Sequence, residues 1–330
     1  MKKAPLLLIL IALMSLSGCV IVALPEVEPP VEKTLGGRGP DKVLVVDISG
    51  VITEETPEGF GGIAVEQNIT ARIRQELDLA YEDKAVKAVV LRIDSPGGAV
   101  TTCDIIAHEI LEFKKDKKIP VIAELMDTAA SGGYYIAVTA DKIIAHPTTV
   151  TGSIGVIAYN VNATGLLEKI GLVDATIKSG DKKDIGSPLR PMTKDDKAIL
   201  QSIINDMYLR FVDVVAEGRK QAGLDRDAVL KLADGRIYTA GQAREARLVD
   251  SVGYLDDAIE AAKEAAGLKD MDATVVTYAQ RSTYKSNIYS KAYGRALESR
   301  GDRAQVNVIN IDARSITGRF GAKFMYLWMP

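Results

Sequence analysis

The sequence predicts an α/β fold in which a parallel sheet is flanked by helices. Apolar, β-branched runs typical of buried strands alternate with segments whose apolar residues recur at helical spacing. This alternation is characteristic of βαβ units, in which each crossover helix covers one face of a parallel sheet. The 330 residues are 47% hydrophobic and 26% charged, the composition of a folded protein with one large domain or two small ones.

The elements of the first half alternate regularly. Residues 42–52 are mostly apolar and β-branched, which predicts a buried strand. Apolar residues then recur at helical spacing from Val65 to Leu77, which predicts a helix over 64–82. A strand over 85–94, a helix over 104–117 and a strand over 120–125 follow. In such folds we expect functional residues in the loops at the carboxyl ends of the strands.

The second half becomes increasingly helical. Strands are predicted over 142–147, 153–162 and 175–180, with a short helix over 163–170. Thr193 precedes Asp195 and Asp196, a pattern typical of a helix N-cap with acids in the first turn. The remaining predicted elements are helices over 194–222, 225–233, 238–247 and 256–266 and a strand over 274–279.

The amino-terminal residues have the pattern of an export signal. Lys2 and Lys3 precede an apolar run that ends near Leu16, and this run is shorter than the roughly 20 residues of a membrane span. The residues LSGC that end at Cys19 resemble the lipobox of bacterial lipoproteins, so we expect a lipid anchor at Cys19. An uncleaved signal anchor is the alternative. Either anchor predicts a membrane-bound protein on the extracytoplasmic side, as a periplasmic or cell-surface lipoprotein.

Composition divides the chain into four predicted segments. A signal peptide over 1–18 is followed by a tether over 19–40, which is rich in proline, glycine and charge from residue 25 onward. The folded body is expected over 41–280. An extension over 281–330 is polar and dotted with aromatic residues, and it ends in the hydrophobic stretch FMYLWMP.

Charge and residue counts exclude several kinds of partner. The 41 basic and 44 acidic side chains give a net charge of −3 without long blocks of one sign, so we expect no nucleic-acid partner. The chain has two cysteines, Cys19 and Cys103, two histidines and no CxxC motif, so we expect neither a metal site nor another cofactor. Cys103 falls in a helical pattern and is interpreted as a small buried hydrophobic residue.

Ser131 is the first candidate for chemistry. It lies in TAASGGYY, after a predicted strand and before residues that can form a helix. The N–H groups at a helix start favour a developing negative charge, and small neighbours leave room for a substrate. Alone, however, such a segment is more often a tight turn.

A nucleophilic serine requires a base, and the sequence offers two kinds. His108 lies in a predicted helix and His146 at the end of a strand, and neither has the acid-paired setting typical of a triad. The other kind is a lysine, which is neutral near pH 7 only when it is removed from water. Lys183 lies in a loop rich in glycine, serine and proline, with Lys182 as its nearest competitor.

Five ordered motifs resemble the signal peptide peptidase A family of Ser/Lys proteases, peptidase family S49, in its compact single-repeat form. They span about residues 42–257 and are DTAASGGYYIA around Ser131, RIDSPGG over 92–98, TGSIGV over 151–156, KSGDKKDIGSP over 178–188 and GRIYTAGQAREARLVDSVG over 235–253. The family belongs to the ClpP/crotonase-like superfamily. The resemblance therefore implies a βαβ superhelix, in agreement with the fold predicted above.

The resemblance also implies a role for each matching residue. Ser131 corresponds to the nucleophile, and Lys183, which directly precedes the aspartate, corresponds to the general base. Ser153 corresponds to the hydroxyl that orients the lysine, and the backbone N–H groups of Gly98 and Ser131 are the expected oxyanion donors. Compact members form homo-oligomeric rings or domes in which one site can draw on neighbouring subunits.

The expected activity is hydrolysis of hydrophobic peptides, such as remnant signal peptides, with small apolar residues preferred at the cleaved position. Two alternatives stay open from the sequence. One is a crotonase-like acyl-CoA enzyme, because that branch of the superfamily has a motif similar to residues 235–253. The other is a non-catalytic ring scaffold at a membrane. Three locations are open for the hydrophobic end of the extension: it could pack on the oligomer, contact the membrane or occupy the substrate groove.

Overall fold

A nine-stranded sheet forms the centre of the part of the chain that this computed structural model describes, residues 30–55, 67–269, 271–279 and 323–328. Seven of its strands follow the order β1-β11-β2-β3-β5-β6-β10, while β7 pairs with both β5 and β9. A smaller sheet has the order β4-β12-β8. The strands are β1 Val31–Gly37, β2 Asp41–Ser49, β3 Val86–Ser95, β4 Gly97–Ala99, β5 Val121–Ala130, β6 Lys142–Ala145, β7 Val150–Gly152, β8 Ile157–Tyr159, β9 Ile237–Thr239, β10 Ser251–Val252, β11 Ala273–Ala279 and β12 Lys323–Leu327.

Helices cover both faces of the large sheet. The longest begins after Thr193, whose side chain accepts a hydrogen bond from the Asp196 N–H, so the N-cap predicted at Thr193 is confirmed, and the structure shows that it is part of a capping box. The helices are α1 Ile69–Glu82, α2 Val100–Lys117, α3 Gly132–Ala137, α4 Thr164–Lys169, α5 Lys194–Gly218, α6 Arg226–Leu232, α7 Ala240–Glu245 and α8 Leu255–Ala265, with a 3-10 turn at Lys220–Ala222.

The two faces of strand β2 show how the core is built. Val43 and Val45 belong to a buried cluster with Leu255 of α8, whereas Leu44 belongs to the larger cluster that contains Ile73 of α1. Because both faces are covered, the central strands are continuously apolar rather than alternating. Strands β2, β3, β5 and β6 pair in parallel. The predicted α/β fold with a parallel sheet flanked by helices is confirmed.

The last part of the predicted tether is folded into the large sheet. Residues 31–37 form the edge strand β1, which pairs antiparallel with β11, and Leu35 is buried. The prolines of this region lie before Val31 and at Pro40, so the strand itself contains none. An edge strand has one side in solvent and tolerates the polar residues that indicated a tether.

Two further expectations differ from the structure. The predicted strand over 175–180 is absent, and residues 171–183 of the described chain are all exposed. The predicted strand over 153–162 is reduced to β8, and strand β5 continues to Ala130, so no loop separates it from Ser131. Among the residues described, no helix is long and apolar enough to span a membrane. Residues 1–29, including Cys19, lie outside the described chain.

Candidate active site

Ser131 occupies the sharp junction between β5 and α3. Its backbone has φ 52° and ψ −116°, a conformation that only glycine adopts without strain. The residue is 1% exposed, and its hydroxyl has no hydrogen-bond partner among the residues described. Backbone strain at a buried residue whose hydroxyl is unpaired is typical of a functional position. A serine that served only a structural turn would relax into a commoner backbone geometry.

Strand pairing brings Ser153 beside Ser131. Ala130 and Gly152 are partners in the parallel pair β5–β7, so the residue that follows each strand lies at the same edge. The Ser131 N–H donates to the Gly152 carbonyl at 2.8 Å, and the Ser153 N–H donates to the Arg236 carbonyl at 2.8 Å. Ser153 also has a positive φ of 49° and is 8% exposed. The structure therefore brings together these two predicted site residues.

The SPGG turn approaches the same junction from strand β3. Gly97 has φ 98°, and a Cβ built on it would lie 2.6 Å from the nitrogen of Gly132. A Cβ on Gly98 would lie 1.9 Å from the carbonyl oxygen of Ile52. Both positions therefore require glycine, and the turn lies directly against the start of α3.

The structure corrects one predicted oxyanion donor. The Ser131 N–H is already used in its hydrogen bond to Gly152, so it is not available to an oxyanion. Gly132 is the first residue of α3, and the first N–H groups of a helix have no partner within that helix. Sequence reasoning missed Gly132, although its place directly after the serine at a helix start was the available signal. Gly98 and Gly132 are the donors that this geometry favours.

Lys183 lies apart from this group of residues. Its side chain is exposed and makes no hydrogen bond or ion pair among the residues described, so it does not contact Ser131 in the single chain. Lys182 is different, because its amine donates to Asp196 at 3.0 Å. Of the two lysines, only Lys183 has an amine without a partner in the part of the chain that the structure describes.

The residues before Lys183 form an exposed arm, residues 171–183, which we call the lysine arm. Its apolar side chains include Val173, which is 89% exposed, and Ile177, which is 99% exposed. The arm is fixed at its carboxyl end because Arg190 pairs with Asp184 at 2.8 Å and with Asp196 at 2.6 Å. These ion pairs hold the pKa of both carboxyl groups below their usual range.

The histidines and Cys103 take the places that the sequence indicates. His108 is exposed on α2. His146 follows strand β6, where its ring hydrogen-bonds the Thr148 hydroxyl and packs edge-on against Tyr254. Cys103 is fully buried, and this burial raises the pKa of its thiol. Within the described chain, neither histidine is hydrogen-bonded to Ser131.

Comparison with known proteins places this arrangement in a family. A family model described as peptidase family S49 matches residues 113–269, which include Ser131, Ser153 and Lys183. A putative signal peptide peptidase SppA of Enterococcus faecium is 42% identical over 253 residues, which are 76% of this chain and 71% of that protein. This chain belongs to peptidase family S49. It is a serine protease, and the predicted family is confirmed. Membership of this family favours a peptidase over the acyl-CoA alternative.

Two further proteins are also similar to this S49 peptidase. A putative protease of Methanocaldococcus jannaschii is 37% identical over 266 residues, which are 80% of this chain and 83% of that protein. Among solved structures, a mutant of the membrane-bound stomatin-specific protease 1510-N has a TM-score of 0.45 and 16% identity, over 74% of this chain and 100% of that one.

Proposed function

We propose that this S49 peptidase is a membrane-tethered endopeptidase in which Ser131 of one subunit and Lys183 of a neighbouring subunit form a Ser/Lys dyad. One observation carries the proposal. Among the residues described, Ser131 is buried and its hydroxyl has no base, while Lys183 lies unpaired on an arm whose apolar side chains are exposed. Packing the lysine arm against a second subunit would bury those side chains and bring a base to the serine.

Burial at such an interface would also produce the reactive form of the base. An ammonium group in water is a poor proton acceptor, and removal from water favours the neutral amine. A cleft of about 480 Å³ reaches Ser153 from the surface and is also lined by Tyr159 and Tyr208. This cleft gives an incoming lysine side chain room to approach, and the Ser153 hydroxyl is the group that would orient its amine.

The reaction follows from these positions. The neutral amine accepts the Ser131 proton while the hydroxyl oxygen attacks the substrate carbonyl. The N–H groups of Gly98 and Gly132 stabilise the resulting oxyanion, and the protonated amine then donates its proton to the leaving nitrogen. A water molecule, activated by the same amine, hydrolyses the acyl-enzyme.

The proposed substrates are hydrophobic peptides in or near a membrane, such as remnant signal peptides. The S49 membership supports peptide hydrolysis, and the apolar run before Cys19 supports a membrane tether. A lipid on Cys19 would anchor the enzyme on the extracytoplasmic side. Intact mass measurement of the membrane-extracted protein distinguishes a lipidated Cys19 from an uncleaved signal anchor.

Three alanine variants and a fluorophosphonate probe test the dyad. Ser131→Ala is expected to abolish probe labelling and peptide hydrolysis. Lys183→Ala is expected to lower hydrolysis by at least about 10³-fold, because it removes the base. Lys182→Ala is the matched control, since its amine is paired with Asp196, and it should retain activity. Full activity of the assembled Lys183→Ala enzyme would refute the dyad.

A further inference from the structure

The side chain of Ser95 joins two segments beside the candidate site. Ser95 is the last residue of β3 and the first of the SPGG turn, and it is completely buried. Its hydroxyl donates a hydrogen bond of 2.6 Å to the Gly50 carbonyl and accepts one of 3.0 Å from the Gly97 N–H. One oxygen atom therefore closes the SPGG turn and also ties it to the loop that follows β2.

The loop after β2 is held to β3 by a second hydrogen bond. The Gly50 N–H donates to the Asp94 carbonyl at 3.0 Å, while the Gly50 carbonyl accepts from the Ser95 hydroxyl. Both polar groups of the Gly50 backbone are thus bound by consecutive residues at the end of β3. The loop is therefore a fixed support against which the SPGG turn is placed.

Ile52 of the same loop sets the direction of the Gly98 N–H. The Ile52 N–H donates to the Gly97 carbonyl at 2.9 Å, and the Ala99 N–H donates to the Ile52 carbonyl at 2.8 Å. These bonds make Ile52 and Gly98 partners in a parallel β-bridge. In a bridge of this pattern the N–H of the bridged residue points to the opposite side. The Gly98 N–H is therefore held on the side of the turn away from Ile52.

The start of α3 also packs against Ser95. A Cβ built on Gly133 would lie 2.7 Å from the Ser95 carbonyl oxygen and 3.5 Å from the Ser95 Cβ. Gly133 directly follows Gly132, the second proposed oxyanion donor. Ser95 therefore contacts both of the elements that supply the donors.

We infer that Ser95 is a positioning residue for the oxyanion donors, whose hydroxyl holds the SPGG turn so that the Gly98 N–H is in place before the tetrahedral intermediate forms. The inference rests on the proposed function, in which Gly98 and Gly132 are the donors. Donors that are fixed in advance stabilise a developing charge without first reorganising. Loss of the Ser95 hydroxyl should therefore weaken binding of the transition state and leave binding of the intact peptide unchanged.

Ser95→Ala tests the inference with the peptide LLALA, which carries a coumarin amide at its carboxyl end as the leaving group. Without the hydroxyl, the Gly97 N–H and the Gly50 carbonyl lose their shared partner and the turn can shift. We expect kcat to fall by about 10-fold to 10²-fold and KM to change by at most about twofold. A kcat within about twofold of the wild-type value would overturn the inference.

Two ligands separate positioning from a general loosening of the site. In the aldehyde of LLALA, the Ser131 oxygen bonds to the carbonyl carbon, and the aldehyde oxygen then occupies the oxyanion position. Its Ki should rise by the factor by which kcat/KM falls. The coumarin amide forms no such adduct with the Ser131→Ala enzyme, so adding Ser95→Ala should change its Kd by at most about twofold. Equal weakening of both ligands would show that Ser95 only supports the fold.

Two further variants control for stability. Thr139→Val removes another buried hydroxyl, which donates to the Ile136 carbonyl at 2.7 Å beyond the end of α3. It should keep kcat and the aldehyde Ki within about twofold of the wild-type values. Ser95→Cys keeps a side chain of similar size with a weak hydrogen-bonding group, and it should raise the aldehyde Ki as Ser95→Ala does. Wild-type aldehyde binding by Ser95→Cys would overturn the inference.

The wild-type enzyme distinguishes a failure of this inference from a failure of the proposed function. If the aldehyde inhibits the wild type and both Ser95 variants equally, Ser95 has no positioning role and the serine chemistry stands. If the aldehyde does not inhibit the wild type and the fluorophosphonate does not label Ser131, the serine chemistry fails and this inference fails with it.

Discussion

The backbone N–H of Ser131 donates a 2.8 Å hydrogen bond to the carbonyl of Gly152, the residue directly before Ser153. This bond holds the two serines at adjacent ends of paired strands, so the nucleophile and the group proposed to orient its base belong to one rigid unit. The lysine does not belong to that unit.

Mixed subunits should restore activity if the dyad is shared. Ser131→Ala and Lys183→Ala are each expected to be inactive, but a random equal mixture has sites that combine an intact serine with an intact neighbouring lysine. Such sites would give about a quarter of wild-type activity in a closed heterologous assembly. The two variants are unfolded and refolded together, and peptide hydrolysis is measured. A mixture as inactive as its components would place both residues in one subunit.

Gly98→Ala should abolish most activity. The added Cβ would lie 1.9 Å from the Ile52 carbonyl oxygen, so the SPGG turn must move and the Gly98 N–H must leave its position. Loss of one oxyanion donor costs about 10²-fold or more in kcat. Gly241→Ala is the control, because no heavy atom lies within 4 Å of its added Cβ, and it should keep nearly full activity. Comparable losses in the two variants would contradict an oxyanion role.

The strain at Ser131 should be measurable as stability. Ser131→Gly removes the side chain that makes φ 52° and ψ −116° costly, so it is expected to unfold at higher denaturant than Ser131→Ala, by about 1 kcal/mol. Both variants are inactive under the proposed mechanism. The same pair of changes at Ser251, in strand β10, should have the opposite order, because glycine weakens an ordinary strand. If Ser131→Gly were the less stable variant, Ser131 would not be strained.

Glu124 should make stability fall as the pH rises. Burial, with a smaller contribution from Asp257, raises the pKa of Glu124 to about 9, and neither carboxyl oxygen has a hydrogen-bond partner within the described chain. The folded protein therefore keeps the proton to higher pH than the unfolded chain, whose ordinary pKa is 4.5. The free energy of unfolding then decreases as the pH rises from about 4.5 towards 9.

Glu124→Gln removes this titration. We expect it to raise the free energy of unfolding by about 1–2 kcal/mol at pH 8 and by much less at pH 5. Urea unfolding at the two pH values measures the difference. Glu260→Gln, at an exposed position of α8, is the control and should show little change at either pH. A gain for Glu124→Gln that is equal at pH 5 and pH 8 would contradict the raised pKa.

Much of the fold could be predicted because its signals are local. The strands near residues 42–52 and 85–94 are apolar and β-branched, and the capping box at Thr193 is contained within four residues. The expected strand over 175–180 was wrong for a physical reason. A β-branched stretch forms a strand only where it pairs with another strand, and within the described chain the lysine arm pairs with none.

The site residues that could be predicted are those that follow the end of a strand. Ser131, Ser153 and Gly98 follow β5, β7 and β3, and parallel pairing brings those ends together. The sequence left three places open for the hydrophobic end of the extension, and it could not decide among them because strand β12 pairs with two strands that lie far earlier in the chain, β4 and β8. That a neighbouring subunit supplies the lysine stays a prediction, because a single chain does not show what packs against an exposed arm.

Strand β1 would limit how far an enzyme anchored at Cys19 can work from a membrane. Because the sheet includes residues from Val31 onward rather than from near Asp41, about a dozen residues lie between Cys19 and the edge of the sheet. Fully extended, they span about 40 Å. An enzyme lipidated at Cys19 would be a short-range one, confined to bonds that lie within roughly one domain diameter of the bilayer surface.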